Sequence, residues 1–156
     1  MKKFLVTAFL ALVISVGSTF ADHPGGWGIG VQGGWSGGVG GGLSLKVPSV
    51  PIYWTINGGN GWLGVSGDYY FIDKTLVPDI NLGWYLGAGV FGTFSGLGKT
   101  THITIGGEFV AGLSWQPLKF FEVYLQAAPC IGLQLAPSIG LGANFFNAAL
   151  GIRFWI

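Results

Sequence analysis

The stretch DINLGWYLGAGVFG, residues 79–92, alternates with a period of two. Ile80, Leu82, Trp84, Leu86, Ala88 and Val90 fall on one face, and Asn81, Gly83, Tyr85, Gly87, Gly89 and Phe91 on the other. A helix would scatter these aliphatic side chains around its axis, whereas an extended strand gathers them into one apolar face. The period recurs along the chain. In HITIGGEFVAGLSW (102–115), Ile103, Ile105, Phe109, Ala111, Leu113 and Trp115 oppose His102, Thr104, Gly106, Glu108, Gly112 and Ser114, with Val110 the exception. Leu63, Val65, Tyr69 and Phe71 oppose Gly64, Ser66, Asp68 and Tyr70. Phe121, Val123 and Leu125 oppose Glu122, Tyr124 and Gln126; Ile131, Leu133 and Leu135 oppose Gly132, Gln134 and Ala136.

Composition says where such strands belong. The chain opens with Lys2 and Lys3, an apolar run from Phe4 to Val16, and small residues Thr19 and Ala21, the layout of a secretory signal peptide cut after residue 21. The run is too short to span a bilayer comfortably as a helix. The expected mature chain, residues 22–156, is one domain with five basic and six acidic residues, so its net charge is −1. Charged residues make up 8% of the sequence, against about a quarter in soluble domains, and mean hydropathy is +0.58. Disorder and nucleic-acid binding are excluded, the first by hydrophobicity and the second by the lack of a basic patch. An exported, weakly charged, apolar chain points to a membrane. Cys130 is the only cysteine, so no internal disulfide forms, and it reads as a buried apolar residue.

Only helices or a closed barrel can span a bilayer, because every backbone polar group must be satisfied internally. The uncharged stretch between Glu122 and Arg153 invites a helical reading, but its period is two and it holds Pro129 and Pro137. Tilted membrane strands need about 9–11 residues. Eight fit, near 26–36, 40–56, 61–72, 79–92, 101–115, 119–127, 131–141 and 147–156. Turns are expected at 57–61, 72–79, 95–100 and 116–119. Within 40–56 the apolar phase changes from odd (Leu43, Leu45) to even (Trp54, Ile56) across Pro48 and Pro51. A bulge or bend there keeps one strand; a hairpin changes the count.

The chain ends NAALGIRFWI, with Leu150, Ile152, Phe154 and Ile156 on its apolar face. This resembles the terminal strand of bacterial outer-membrane barrels, which in that family is the signal read by the barrel-assembly machinery. The family's last residue is usually aromatic; here it is Ile156. Leader, alternation and terminus together resemble the small eight-stranded antiparallel up-and-down barrels of the bacterial outer membrane. The Gly- and Trp-rich character is closest to a spirochaetal barrel family of unknown function. The resemblance implies a monomeric integral protein of the cell outer membrane, embedded in lipid, with a structural or surface-interaction role. Two alternatives share the architecture: a barrel that binds or passes apolar ligands, and a lipid-modifying enzyme.

In a narrow barrel, Lys46, Asp68, Glu108, Glu122 and Arg153 all lie on the small, polar faces and are expected to form an ion-pair network filling the lumen. Asp73, Lys74 and Lys99 are expected in turns. Trp27, Trp35, Trp54, Trp84 and Trp115 lie on apolar faces, as interfacial girdles require.

No site for a cofactor, metal or catalytic reaction emerges. Gly28, Gly30 and Gly33 match G-x-G-x-x-G, but no acid lies between Asp22 and Asp68 and no helical pattern follows, so the glycines read as space-savers inside the barrel. GTFSGLGKT (92–100) lacks the first P-loop glycine, with Thr93 in its place. His102, Glu108 and Ser114 share one strand face, yet each is six residues from the next, near 20 Å at about 3.3 Å per residue. That is too far for a proton relay, so no enzymatic activity is expected.

Overall fold

The computed structural model describes residues 23–96 and 100–156. The expected leader (1–21), Asp22 and Lys99 lie outside the described residues. Within them the chain is almost entirely β: β1 (Gly28–Ser36), β2 (Val39–Lys46), β3 (Tyr53–Gly59), β4 (Trp62–Val77), β5 (Leu82–Ser95), β6 (His102–Leu118), β7 (Phe121–Ala136), β8 (Gly140–Leu141) and β9 (Phe146–Trp155). All pairings are antiparallel. Each strand from β1 to β7 pairs with the next, β7 also pairs with β9, and β9 returns to β1 from Gly28↔Trp155 to Ser36↔Asn147. The sheet is therefore a ring of eight long strands, with the two-residue β8 added against Leu133 and Gln134. Gly28, Trp155 and the connections 47–52, 78–81 and 119–120 lie at one end, the near end. The turns after Ser36 and Gly59, the end of β5 at Ser95, the start of β6 at His102 and the 137–145 segment lie at the far end.

The alternation predicts the two faces. The aliphatic rows point outward and stay exposed, with Val90 at 67%, Ile131 at 64% and Leu150 at 58%. The opposite rows fill the ring: Tyr85, Val110 and Ala128 form its apolar centre, with Tyr70 against them. Val110, out of phase in polarity but not in geometry, is one of those interior groups.

Three boundaries differ from the sequence reading. Residues 40–56 are two strands: Pro48 and Pro51 flank a hairpin connection in which Val50 N donates to Val47 O at 3.2 Å. The phase change marked a reversal, since two prolines remove the N–H groups a continuous strand needs. Conversely, 119–127 and 131–141 are largely one strand, β7. Its apolar row keeps the odd phase from Phe121 to Leu135 through Pro129, and the β6 ladder skips the pairs between Glu108↔Cys130 and Ala111↔Ala127. The count of eight long strands survives because one expected strand splits and two merge.

The third difference concerns β4, which continues past 72 to Val77, so that Asp73 and Lys74 are strand residues and not turn residues. A bulge between Tyr70 and Ile72 inserts one residue and reverses the phase. Tyr70 and Asp73 therefore both face inward, and Lys74 faces out. The turn proper is the 3₁₀ segment Pro78–Ile80, closed by Asn81 in the left-handed conformation (φ 52°).

Candidate functional site

The near half of the lumen is sealed by a charged cluster seated in aromatic rings. Glu122 on β7 is fully buried at 0% exposure. One of its oxygens accepts from Arg153 Nη1 at 2.9 Å and Trp155 Nε1 at 2.8 Å, both from β9. The other is 2.9 Å from His23 Nε2. His23 precedes β1, yet its ring is buried, and its Nδ1 contacts Asp73 Oδ2 on β4. The imidazole thus joins β4 to β7 across the ring. Arg153 is also buried; its Nε and Nη2 donate to Ser44 Oγ at 3.3 and 2.9 Å. Its guanidinium lies 4.5 Å from the ring centre of Tyr124 and 4.9 Å from that of Tyr53.

Tyr53, Tyr70 and Tyr85 stack in series, with ring centres 4.0 and 4.4 Å apart, and His23 meets Tyr53 and Tyr85 edge-on. Burial disfavours the His23 cation, but the hydrogen bonds and charges of Asp73 and Glu122 outweigh it. The pKa is raised to about 9, so His23 is charged at neutral pH.

Above the cluster runs a chain of uncharged groups. Tyr124 OH donates to Gln32 Oε1 at 2.6 Å, Gln32 Nε2 to Asn57 Oδ1 at 2.7 Å, and Asn57 Nδ2 to Thr55 Oγ1 at 3.1 Å; Thr55 Oγ1 and Ser66 Oγ lie 2.8 Å apart. The chain links β7, β1, β3 and β4, and every link is a satisfied pair. Beyond it a small cavity opens toward the far end, walled by Thr93, Glu108, Gln126 and Asn147 among others.

All five charged residues expected in the lumen face inward, but they do not form one network. Glu122 and Arg153 pair directly. Lys46 sits at the near-end rim and donates to Val47 O and Val50 O, both at 2.8 Å, so it caps the hairpin. Asp68 and Glu108 lie in the far half, where Glu108 Oε2 accepts from Asn147 Nδ2 at 2.7 Å. The single network divides because Lys46 and Arg153 both belong to the near end of their strands.

Sequence reasoning missed His23 and Asp73. Asp73 is hidden by the bulge, and His23, outside any strand, carries no periodic signal. Ser44, Tyr53, Tyr85, Gln32 and Trp155 were legible from strand phase alone.

His102, Glu108 and Ser114 are as separate as their spacing implies. His102 Nδ1 lies 3.3 Å from Gln134 Oε1 at the far rim, and Ser114 lines a small near-end pocket with His23 and Asp73. Ser44 and Ser66 are engaged with Arg153 and Thr55. Leu150, Ile152, Phe154 and Ile156 lie on the outer side of β9 and its end; Phe154 meets Phe121, and Ile156 and Trp27 exchange two backbone hydrogen bonds of 2.8 Å. Gly28 leaves room for the Arg153 stem and the Trp155 ring, and Gly30 lies against Ile152 O. Gly33 faces outward, where an added methyl would make only an ordinary contact, 3.8 Å from Gly40 O. No known protein family, curated protein or solved structure matches the chain.

Proposed function

We propose that the chain is an exported integral membrane protein: an eight-stranded outer-membrane barrel with a plugged lumen and a structural or surface-interaction role. The observation that carries this reading is the inversion of the usual surface. Around the ring the exposed residues are aliphatic and aromatic, while Glu122, Arg153, Asp68 and Asp73 are buried inside. Water gives no reason to expose a continuous apolar belt of this kind; lipid does. Outward Trp27, Trp54, Trp84 and Trp115 gather toward the near end, where an aromatic girdle would meet the headgroups.

Closure is also consistent with a small barrel. Stepping through paired residues from Gly28 by way of Lys46, Tyr53, Asp68, Gly89, Glu108 and Cys130 returns to β1 with a stagger of about ten residues, which tilts the strands by roughly 40°. The far end carries the longest connection, 137–145, so it is the outer face on the usual pattern of short periplasmic turns. Residues 1–21 serve as a cleaved leader, and the outward row ending in Ile156 as the assembly signal. The cluster around Glu122 makes the protein a closed barrel and not a pore.

The test is refolding into lipid vesicles. A folded barrel changes gel mobility on boiling, resists protease in vesicles, and does not admit sugars in a liposome-swelling assay. A water-soluble monomer with no heat-dependent shift contradicts the membrane reading; swelling contradicts the plug.

A further inference from the structure

The walls of the ring are of unequal height. β1, β2 and β3 hold nine, eight and seven residues, whereas β4, β5, β6 and β7 hold 16, 14, 17 and 16. A strand rises about 3.3 Å per residue, so at a tilt near 40° each residue adds about 2.5 Å of height. The outward apolar row of β7, Phe121 to Leu135, is therefore about 35 Å tall, and that of β6, Ile103 to Trp115, about 30 Å. The rows of β1 (Ile29 to Trp35) and β2 (Val39 to Leu45) reach only about 15 Å. Turns at 37–38 and 60–61 end the short wall, and their backbone groups need water. Just inside them Gly33, Gly41 and Gly58 pair in one outward row across β1, β2 and β3, so at this level the wall offers no side chain. On β7 the apolar row carries on through Leu133 and Leu135, 53% and 45% exposed, with Leu141 of β8 beside Leu133.

A hydrocarbon band about 25 Å tall exceeds the first wall and falls short of the second. Tilting the barrel does not reconcile them. At the near end β4 continues to Val77 past the last β3 pair, Tyr53↔Asp68, and at the far end β7 passes the last β9 pair, Pro129↔Phe146. We propose that the β1–β3 face is a membrane-thinning surface whose partner is phospholipid with short acyl chains, while the β6–β7 face is solvated by long-chain lipid. The inference rests on the membrane reading above. The mismatch falls on the lipid because a ring of strands hydrogen-bonded to both neighbours is stiff, whereas acyl chains compress or exchange at modest cost. Short chains meet the low wall without exposing methylenes to the polar turns. Long chains cover the tall row that short ones would leave in water.

Outward tryptophans divide between the walls, Trp35 on β1 and Trp54 on β3 against Trp84 on β5 and Trp115 on β6. Two variants each keep one of these pairs, with the other pair and Trp27 replaced by Phe. Trp62 and Trp155 face the lumen and remain in both as a constant background. Each variant is refolded into vesicles that mix brominated 18-carbon phosphatidylcholine with unbrominated phosphatidylcholine of 12 or 20 carbons. Quenching reports which lipid lies against the retained pair. At Trp35 and Trp54 the 12-carbon lipid should displace the brominated one about threefold better than the 20-carbon lipid does, and at Trp84 and Trp115 the order should reverse. The heat-dependent gel shift checks folding; if a variant fails to fold, the difference between wild type and Trp54→Phe or Trp115→Phe gives the same readout. Equal chain-length preference at the two walls overturns the proposal and leaves the barrel reading intact. Quenching confined to Trp84 and Trp115 places protein, a second copy of this chain, against the short wall and overturns the lipid partner. Absence of quenching at both walls overturns the membrane reading and the proposal with it.

Discussion

Replacing Glu122 by Gln changes almost no volume and removes one charge from the centre of the near-end cluster. The carboxylate serves three donors, Arg153 Nη1, Trp155 Nε1 and His23 Nε2, at 2.8 to 2.9 Å and with no exposure. The amide that replaces it has one acceptor oxygen and presents an NH₂ group to at least one of those donors. An orphaned buried donor costs about 1–3 kcal/mol. Removing one partner of a buried ion pair costs about 3–5 kcal/mol, and the two figures describe overlapping losses. The expected destabilisation is therefore about 4 kcal/mol, a large part of the roughly 5–15 kcal/mol that holds a typical domain folded. With a urea slope near 2 kcal/mol/M, the unfolding midpoint in vesicles should fall by about 2 M, read by tryptophan fluorescence and by loss of the gel shift. Adding Arg153→Met removes the unpaired guanidinium, so the double variant should lose less than the sum of the single losses. A loss below about 1 kcal/mol for Glu122→Gln alone would show that desolvation of the pair cancels its attraction, and the view of the cluster as the near-end seal would fail.

The remaining predictions use other parts of the ring. His23, faced by Asp73 of β4, Glu122 of β7 with Arg153 behind it, and the rings of Tyr53, Tyr70 and Tyr85, has a pKa raised from 6.5 to about 9. A raised histidine pKa stabilises fully below about pH 6.5 and loses that contribution, about 3 kcal/mol, as pH rises through 9. Urea midpoints should fall between pH 7 and 10 in the wild type and be flatter in His23→Ala; parallel curves would contradict the assignment. Gly30→Ala places a methyl against Ile152 O, a carbonyl held in the β1–β9 ladder, whereas the methyl of Gly33→Ala makes only an ordinary contact with Gly40 O. The first should destabilise clearly and the second scarcely, in the same denaturation assay. Val90→Arg, midway along β5 on the outer face, should cost about 2–4 kcal/mol in lipid vesicles, against about 0–1 for Phe120→Arg at the near-end turn. Equal costs would argue against a bilayer around the belt.

The sequence by itself determined the strand class, the two faces and most of the lumen lining. A period of two is a local property: each residue's side follows from its neighbours, so Tyr85, Glu122, Tyr124 and Arg153 are assigned inward without knowledge of any contact. It also held the true boundaries, in the constant odd phase across Pro129 and the phase change across Pro48–Pro51. What only the tertiary structure decided was pairing. The one-residue bulge after Tyr70 turned Asp73 inward, and ring closure carried His23, which has no strand phase, between Asp73 and Glu122. Stagger around the ring set Lys46 on its hairpin carbonyls and brought Asp68 and Glu108 together over Gly89. Which charges meet depends on strand register, and register is fixed by hydrogen bonds between residues far apart in the chain.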